Sequence, residues 1–167
     1  MTTSHIHKLH DLYKIYVFYS WFLPRYRSKC RSQQEGYNMS KYEAGLEKLM
    51  EYTLSGNKDV PSHLKISEDL ESIAPDVGKY IIEFAYGDIY SRSGLTNQQR
   101  ALITISSLVT QGTEPQLELH INTGLTAGLT EKEIVEAIIH LIPYTGFPRV
   151  LNALEVAKKV FTMRKEE

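Results

Sequence analysis

From Gln98 to Val160 the apolar residues return every three or four positions in successive runs, each bounded by glycine, proline or a hydroxyl residue. That period is the helical one, and nowhere does the chain keep up the two-residue alternation of a half-buried strand. Thr96 with Gln99, and Thr130 with Glu133, have the spacing of reciprocal helix caps. The first opens a helix with Ala101, Leu102, Ile105, Leu108 and Val109 inward, closed by Gly112. Pro115 suits the first turn of the next, where Leu117, Ile121 and Leu125 make the apolar line and His120 lies between Leu117 and Gly124. The second cap opens a helix through Ile142, with Ile134, Ile138, Ile139, Leu141 and Ile142 on one arc and Glu133, Glu136, His140 and Tyr144 on the other. After Pro148, Val150, Leu151, Leu154, Ala157 and Phe161 carry the last stripe. The expectation is an all-α fold, a bundle of about six helices without internal repeats.

The earlier chain adds helices to the same plan. Tyr42 to Tyr52 reads as a short amphipathic helix with Leu46, Leu49 and Met50 on one side, stopped by Ser55-Gly56-Asn57. Pro61 falls in the linker that follows. Ser67, with Glu68 and Asp69 behind it, has the chemistry to open the next helix, and Pro75 divides that segment. Asp76 to Tyr90 then puts Val77, Tyr80, Ile81, Phe84 and Ala85 on a core-facing stripe. Residues 1–38 differ in texture: an aromatic-rich run, Leu12 to Leu23, precedes Arg25, Arg27, Lys29 and Arg31. The run is too short for a membrane span and its charge follows rather than precedes it, against the order of a secretory signal. It is read as a disordered or non-native leader, with Met39 a plausible start and 39–167 the helical domain.

Totals narrow the function classes. At 167 residues and 42% apolar content the chain can bury one core. A formal net charge of −1, with dispersed charges, argues against a nucleic-acid partner. The single cysteine, Cys30, excludes a disulfide framework and any cysteine-pair redox chemistry within one chain, so a reducing cytoplasm is the expected compartment.

Several separated pieces point further: Tyr86-Gly87-Asp88-Ile89-Tyr90-Ser91, Gly94-Leu95-Thr96, Arg100, Leu117-Glu118-Leu119-His120, Gly128-Leu129-Thr130 with Glu133, and Tyr144-Thr145-Gly146-Phe147-Pro148 with Asn152-Ala153. In this order, from about Tyr42 to Phe161, the chain resembles the carboxymuconolactone decarboxylase family, which shares its fold with alkyl hydroperoxidase D-like proteins. The resemblance implies a helical bundle assembled as a homo-oligomeric ring, a trimer or hexamer, with sites near subunit contacts. Peroxidase members carry two cysteines three positions apart and a histidine four positions after the second. Those places here hold Thr113, Gln116 and His120. Without a thiolate to attack a peroxide, peroxidase activity is disfavoured.

The namesake reaction, removal of CO2 from a small carboxylated lactone, needs a hydrogen-bond donor or positive charge where electrons collect and an acid to protonate carbon. It requires no metal or organic cofactor in principle. His120 is the first candidate for acid and base, since free imidazole titrates near neutrality. His140, oriented by Glu136 one turn earlier, is the second. Arg100 or Arg149 would hold carboxylates, with Tyr144 beside the substrate. Each has a plainer explanation. His120 can be a hydrogen-bonded helix histidine, the Glu133, Glu136 and His140 face an ordinary solvated one, and Tyr144 to Gly146 a bend before Pro148. Glu136 and His140 with His120 also raise the thought of a metal, but lack the tight spacing of a ligand motif. Arg100 near a helix start opposes the dipole slightly, which favours a task for it. The alternative to an enzyme is a non-catalytic oligomeric scaffold of the same fold.

Overall fold

Hydroxyl caps fix where three of the helices begin. In the computed structural model, which describes residues 39–52 and 62–165, Ser40, Thr96 and Thr130 each accept a hydrogen bond from the backbone N–H three residues on. Glu43, Gln99 and Glu133 reach back to the cap's own N–H, so donors that a first turn leaves free are satisfied in pairs. These caps open α1 (Lys41–Met50), α4 (Asn97–Gln111) and α6 (Glu131–His140). The remaining elements are α2 (Ser62–Leu70), α3 (Val77–Tyr80) running into a π-helix (Ile81–Tyr90), α5 (Glu114–Thr126), α7 (Ile142–Thr145) and α8 (Phe147–Lys165). The fold is all-α, and the described residues contain no strand. Gly112, with φ +74°, ends α4 as expected, and Pro115 lies in the first turn of α5.

The main core lies where α4, α5, α6 and α8 meet. Ile105, Ile121, Ile134 and Ile138 are wholly buried there, and each such side chain contributes roughly 1.5–3 kcal/mol relative to exposure. A second, smaller core joins α1 to the π-helix through Leu49, Tyr52 and Tyr86. Gly45 makes that junction possible. A Cβ at this position would stand 2.0 Å from the carbonyl oxygen of Ile82, so only a glycine lets the two backbones approach.

The π-helix changes which residues face inward. Its closing bond runs from the N–H of Ser91 to the carbonyl of Tyr86, five residues back. Each turn takes in more residues than an α-turn, so the buried positions are Ile82 and Tyr86, while Tyr80 and Phe84, expected in the core, are exposed. Ser67 does not open a helix either. α2 already starts at Ser62, and the Ser67 hydroxyl donates to the His63 carbonyl one turn back, the alternative use of a mid-helix serine. The helix expected to run through Ile142 stops at His140, because Pro143 has no N–H to continue the ladder. Ile139 and Leu151, expected inward, are exposed. On α8 the expected Val150 and Ala157 are buried together with Ala153 and Val160, the two alanines letting the helix seat closely, while the expected Leu154 and Phe161 pack at the edge of the core.

Ser55-Gly56-Asn57, Pro61 and the leader 1–38 lie outside the described residues. Among those described, no helix is long and apolar enough to cross a membrane.

Candidate active site

The site grows from the contact of two helices. On α5, Leu117, Ile121 and Gly124 point into the core. At Gly124 a Cβ would meet Ile105 Cδ1 at 3.3 Å and the Ala101 Cβ at 3.6 Å, which measures how tightly α4 and α5 are pressed together. His120 is turned off this line and is only partly buried. Its ring meets the ring of His63, from α2, edge to face at 5.3 Å between centroids.

His63 is the buried polar residue of the described chain, 8% exposed. The Tyr86 hydroxyl lies 3.2 Å from its Nε2 and 3.4 Å from its Nδ1. Tyr86 in turn packs against Tyr90, 4.8 Å between centroids, and against the edge of Tyr52 at 6.0 Å. The aromatic group ends on α4. There the Tyr90 hydroxyl pairs with Thr104 Oγ1 at 3.1 Å, and the Tyr52 hydroxyl donates to Asn97 Oδ1 at 3.1 Å. One turn beyond Asn97, Arg100 donates from Nη2 to the Arg92 carbonyl. Its Nε is buried and has no acceptor among the described residues. A buried charged donor left unpaired is costly, which sets Arg100 apart from the other arginines described.

Burial sets the charges. It lowers His120 from the ordinary 6.5 to about 4. His63 is also lowered to about 4, first by burial and then by His120 beside it. Burial, with Tyr90 and Tyr52 nearby, raises the Tyr86 phenol well above its usual range, so Tyr86 keeps its proton and meets His63 as a neutral hydroxyl. Burial and Tyr90 push Tyr52 up too, against a smaller lowering by the Arg100 guanidinium. At neutral pH the site therefore holds two neutral imidazoles, with the Arg100 guanidinium at the far end of the tyrosine group. A neutral imidazole carries one donor and one acceptor. It becomes an acid when a nearby negative charge restores its basicity.

The other residues expected at the site lie in two further places. Glu136 and His140 on α6 and Tyr144 on α7 form an exposed ridge, with the His140 and Tyr144 rings 5.7 Å apart. Arg149, near the start of α8, lies over Gly112 and borders a cavity of about 320 Å³ floored by Leu108, Val109, Leu117 and Ala153. Glu114 and Asn152, also on its rim, bond to each other at 3.0 Å. Of the six residues, then, His120 and Arg100 belong to the histidine and tyrosine group. His63, Tyr52 and Tyr86 were not singled out from the sequence.

The sequence profile of the carboxymuconolactone decarboxylase family matches residues 75–159. The chain is 35% identical over 121 residues to the 4-carboxymuconolactone decarboxylase of Acinetobacter baylyi, covering 72% of this chain and 87% of that protein. It is 30% identical over 115 residues to the nitrosuccinic acid decarboxylase of Metarhizium robertsii, covering 67% and 80% respectively. An uncharacterised 15.0 kDa protein of Paracoccus denitrificans is 34% identical over 100 residues, 59% of this chain and 75% of its own length.

Proposed function

Since the chain belongs to the carboxymuconolactone decarboxylase family, we propose that it is a carboxy-lyase that removes CO2 from a small carboxylated lactone or keto acid by general acid/base catalysis, without an organic cofactor. The observation that carries this is His120: the two positions where peroxidase relatives have thiols hold Thr113 and Gln116, while the imidazole is kept, partly buried and poised beside a second one. Two relatives whose names record decarboxylation of quite different acids support the reaction class.

In this mechanism the Arg100 guanidinium pairs with a carboxylate of the substrate, and the aromatic wall of Tyr52 and Tyr90 excludes water from the reacting end. The arriving anion favours the charged form of His120, so the ring gains a proton as substrate binds. The carbon–carbon bond to the departing carboxylate breaks and its electron pair moves toward the lactone or keto carbonyl. An imidazole N–H directed at that oxygen stabilises the developing charge. His120 then delivers its proton to carbon as CO2 leaves. The balance is one proton taken up for each carboxylate lost.

Purified protein should release CO2 from 4-carboxymuconolactone or a related acid, and His120→Gln should reduce kcat about 10²–10⁴-fold, the usual worth of a positioned general acid. A chain that leaves a broad panel of carboxylated lactones and keto acids intact, or a His120→Gln variant as active as the wild type, would defeat the proposal.

A further inference from the structure

We propose that His63 is a positioning residue of this site: clamped by the Tyr86 hydroxyl, its ring holds the His120 imidazole edge to face and restricts the two rings to one proton between them. The inference rests on the catalytic reading of His120 given above and adds to it a residue from α2, an element that precedes the matched stretch 75–159.

Three observations carry it. Burying an imidazole costs free energy that an apolar side chain would not incur, so a purely packing role gives no reason for histidine at this position. The ring is held by a directed contact rather than loosely packed, with the hydroxyl of a buried tyrosine within 3.4 Å of both nitrogens. That tyrosine belongs to the π-helix, a winding that is rare and recurs at functional sites. The neutral imidazole has one donor and one acceptor nitrogen, so the hydroxyl contact ties the orientation of the ring that touches His120 to the buried tyrosine.

The proton count follows from the surroundings. The ionisable groups that face the pair are Tyr86 from the π-helix, with Tyr52 and Tyr90 behind it, and Arg100 from α4 at the far end of the aromatic group. Neither ring has a hydrogen bond or ion pair to a carboxylate among the described residues. With no anion to offset them, two imidazolium ions 5.3 Å apart repel, and only one ring is charged at a time. Decarboxylation consumes one proton: the carboxylate leaves as CO2, its bonding pair stays on the substrate, and one proton closes the new C–H bond. A pair limited to one proton holds what one turnover needs, and His63 stays neutral while His120 carries it.

The test uses the full chain. His63→Gln and Tyr86→Phe are compared with wild type for kcat and KM on 4-carboxymuconolactone, with helical circular dichroism as the check on folding. Ring NMR follows the His63 titration in the empty protein, in wild type and in His120→Gln. We expect kcat to fall about 10–100-fold in His63→Gln, the scale of losing alignment in a reacting pair, with KM within about threefold. Tyr86→Phe should show a smaller fall of the same kind, and His63 should titrate at higher pH once His120 is replaced. Folded variants that both keep kcat within about twofold overturn the proposal, as does a His63 titration that does not move in His120→Gln, since neither can occur if the rings are coupled. If the wild type itself turns over no acid, the decarboxylase reading fails, and the NMR arm still decides whether the rings share a proton.

Discussion

Acidification should weaken this protein well above the pH at which its carboxylates titrate, because one buried and one partly buried imidazole resist protonation. In the unfolded chain a histidine takes up a proton near pH 6.5; in the folded chain His63 and His120 do so only near 4. Below 6.5 the unfolded state therefore binds more protons than the native state, and stability falls with pH down to about 4. For one such histidine the loss between pH 7 and pH 5 works out at about 2 kcal/mol, and for the two together at about 4 kcal/mol. That is a large part of the 5–15 kcal/mol typical of a domain's stability. Urea denaturation at pH 7, 6 and 5, for wild type and His120→Gln, measures it. The variant should lose at most half as much as the wild type, no more than about 2 kcal/mol over the same interval, because His63 is also relieved of its neighbour. A wild-type stability that is flat from pH 7 to pH 5, or a variant with the full wild-type slope, would refute the assignment of His120 as a buried neutral ring.

Other outcomes test the packing and the anchor. Gly45→Ala puts a methyl group against the Ile82 carbonyl, and the resulting shift of α1 should cost about 1–3 kcal/mol or more, seen as a lower denaturation midpoint with unchanged slope. Arg100→Gln removes the charged donor whose Nε is buried without an acceptor; kcat/KM should drop about 10–100-fold, the worth of roughly 1.5–3 kcal/mol for a charged hydrogen bond, with little change in melting temperature. Thr130→Ala deletes a reciprocal cap far from the site and should cost about 1 kcal/mol in urea denaturation while leaving kcat unaltered.

The helix starts and stops were legible wherever short-range chemistry decides them. Thr96 with Gln99, Thr130 with Glu133, Gly112 and Pro115 act as their spacing implies, because a cap involves only residues within one turn of each other. What failed was the assumption of a constant turn. Reading Asp76 to Tyr90 at the α period turned Tyr80 and Phe84 inward and overlooked Tyr86, the residue that holds His63. Nothing local in Ile81 to Tyr90 announces a wider winding, and the segment is seated on α1 where Gly45 meets Ile82. His120 and Arg100 were visible as residues with unusual chemistry on regular helices. His63, the ring partner of His120, and Tyr52, beside the Arg100 charge, come from distant parts of the sequence, so only the tertiary packing joins them.

The wide winding of Ile81–Tyr90 also makes chain length within it a sensitive quantity. Along a segment that closes its bonds five residues back, shortening by one residue brings the ordinary four-residue closure within reach. Tyr90 would then swing away from Thr104 while Gly45 still pinned the segment's beginning, and the tyrosines around His63 would lose their common orientation. Outward positions such as Phe84 can therefore change their chemistry freely, whereas the number of residues between Ile82 and Tyr90 cannot.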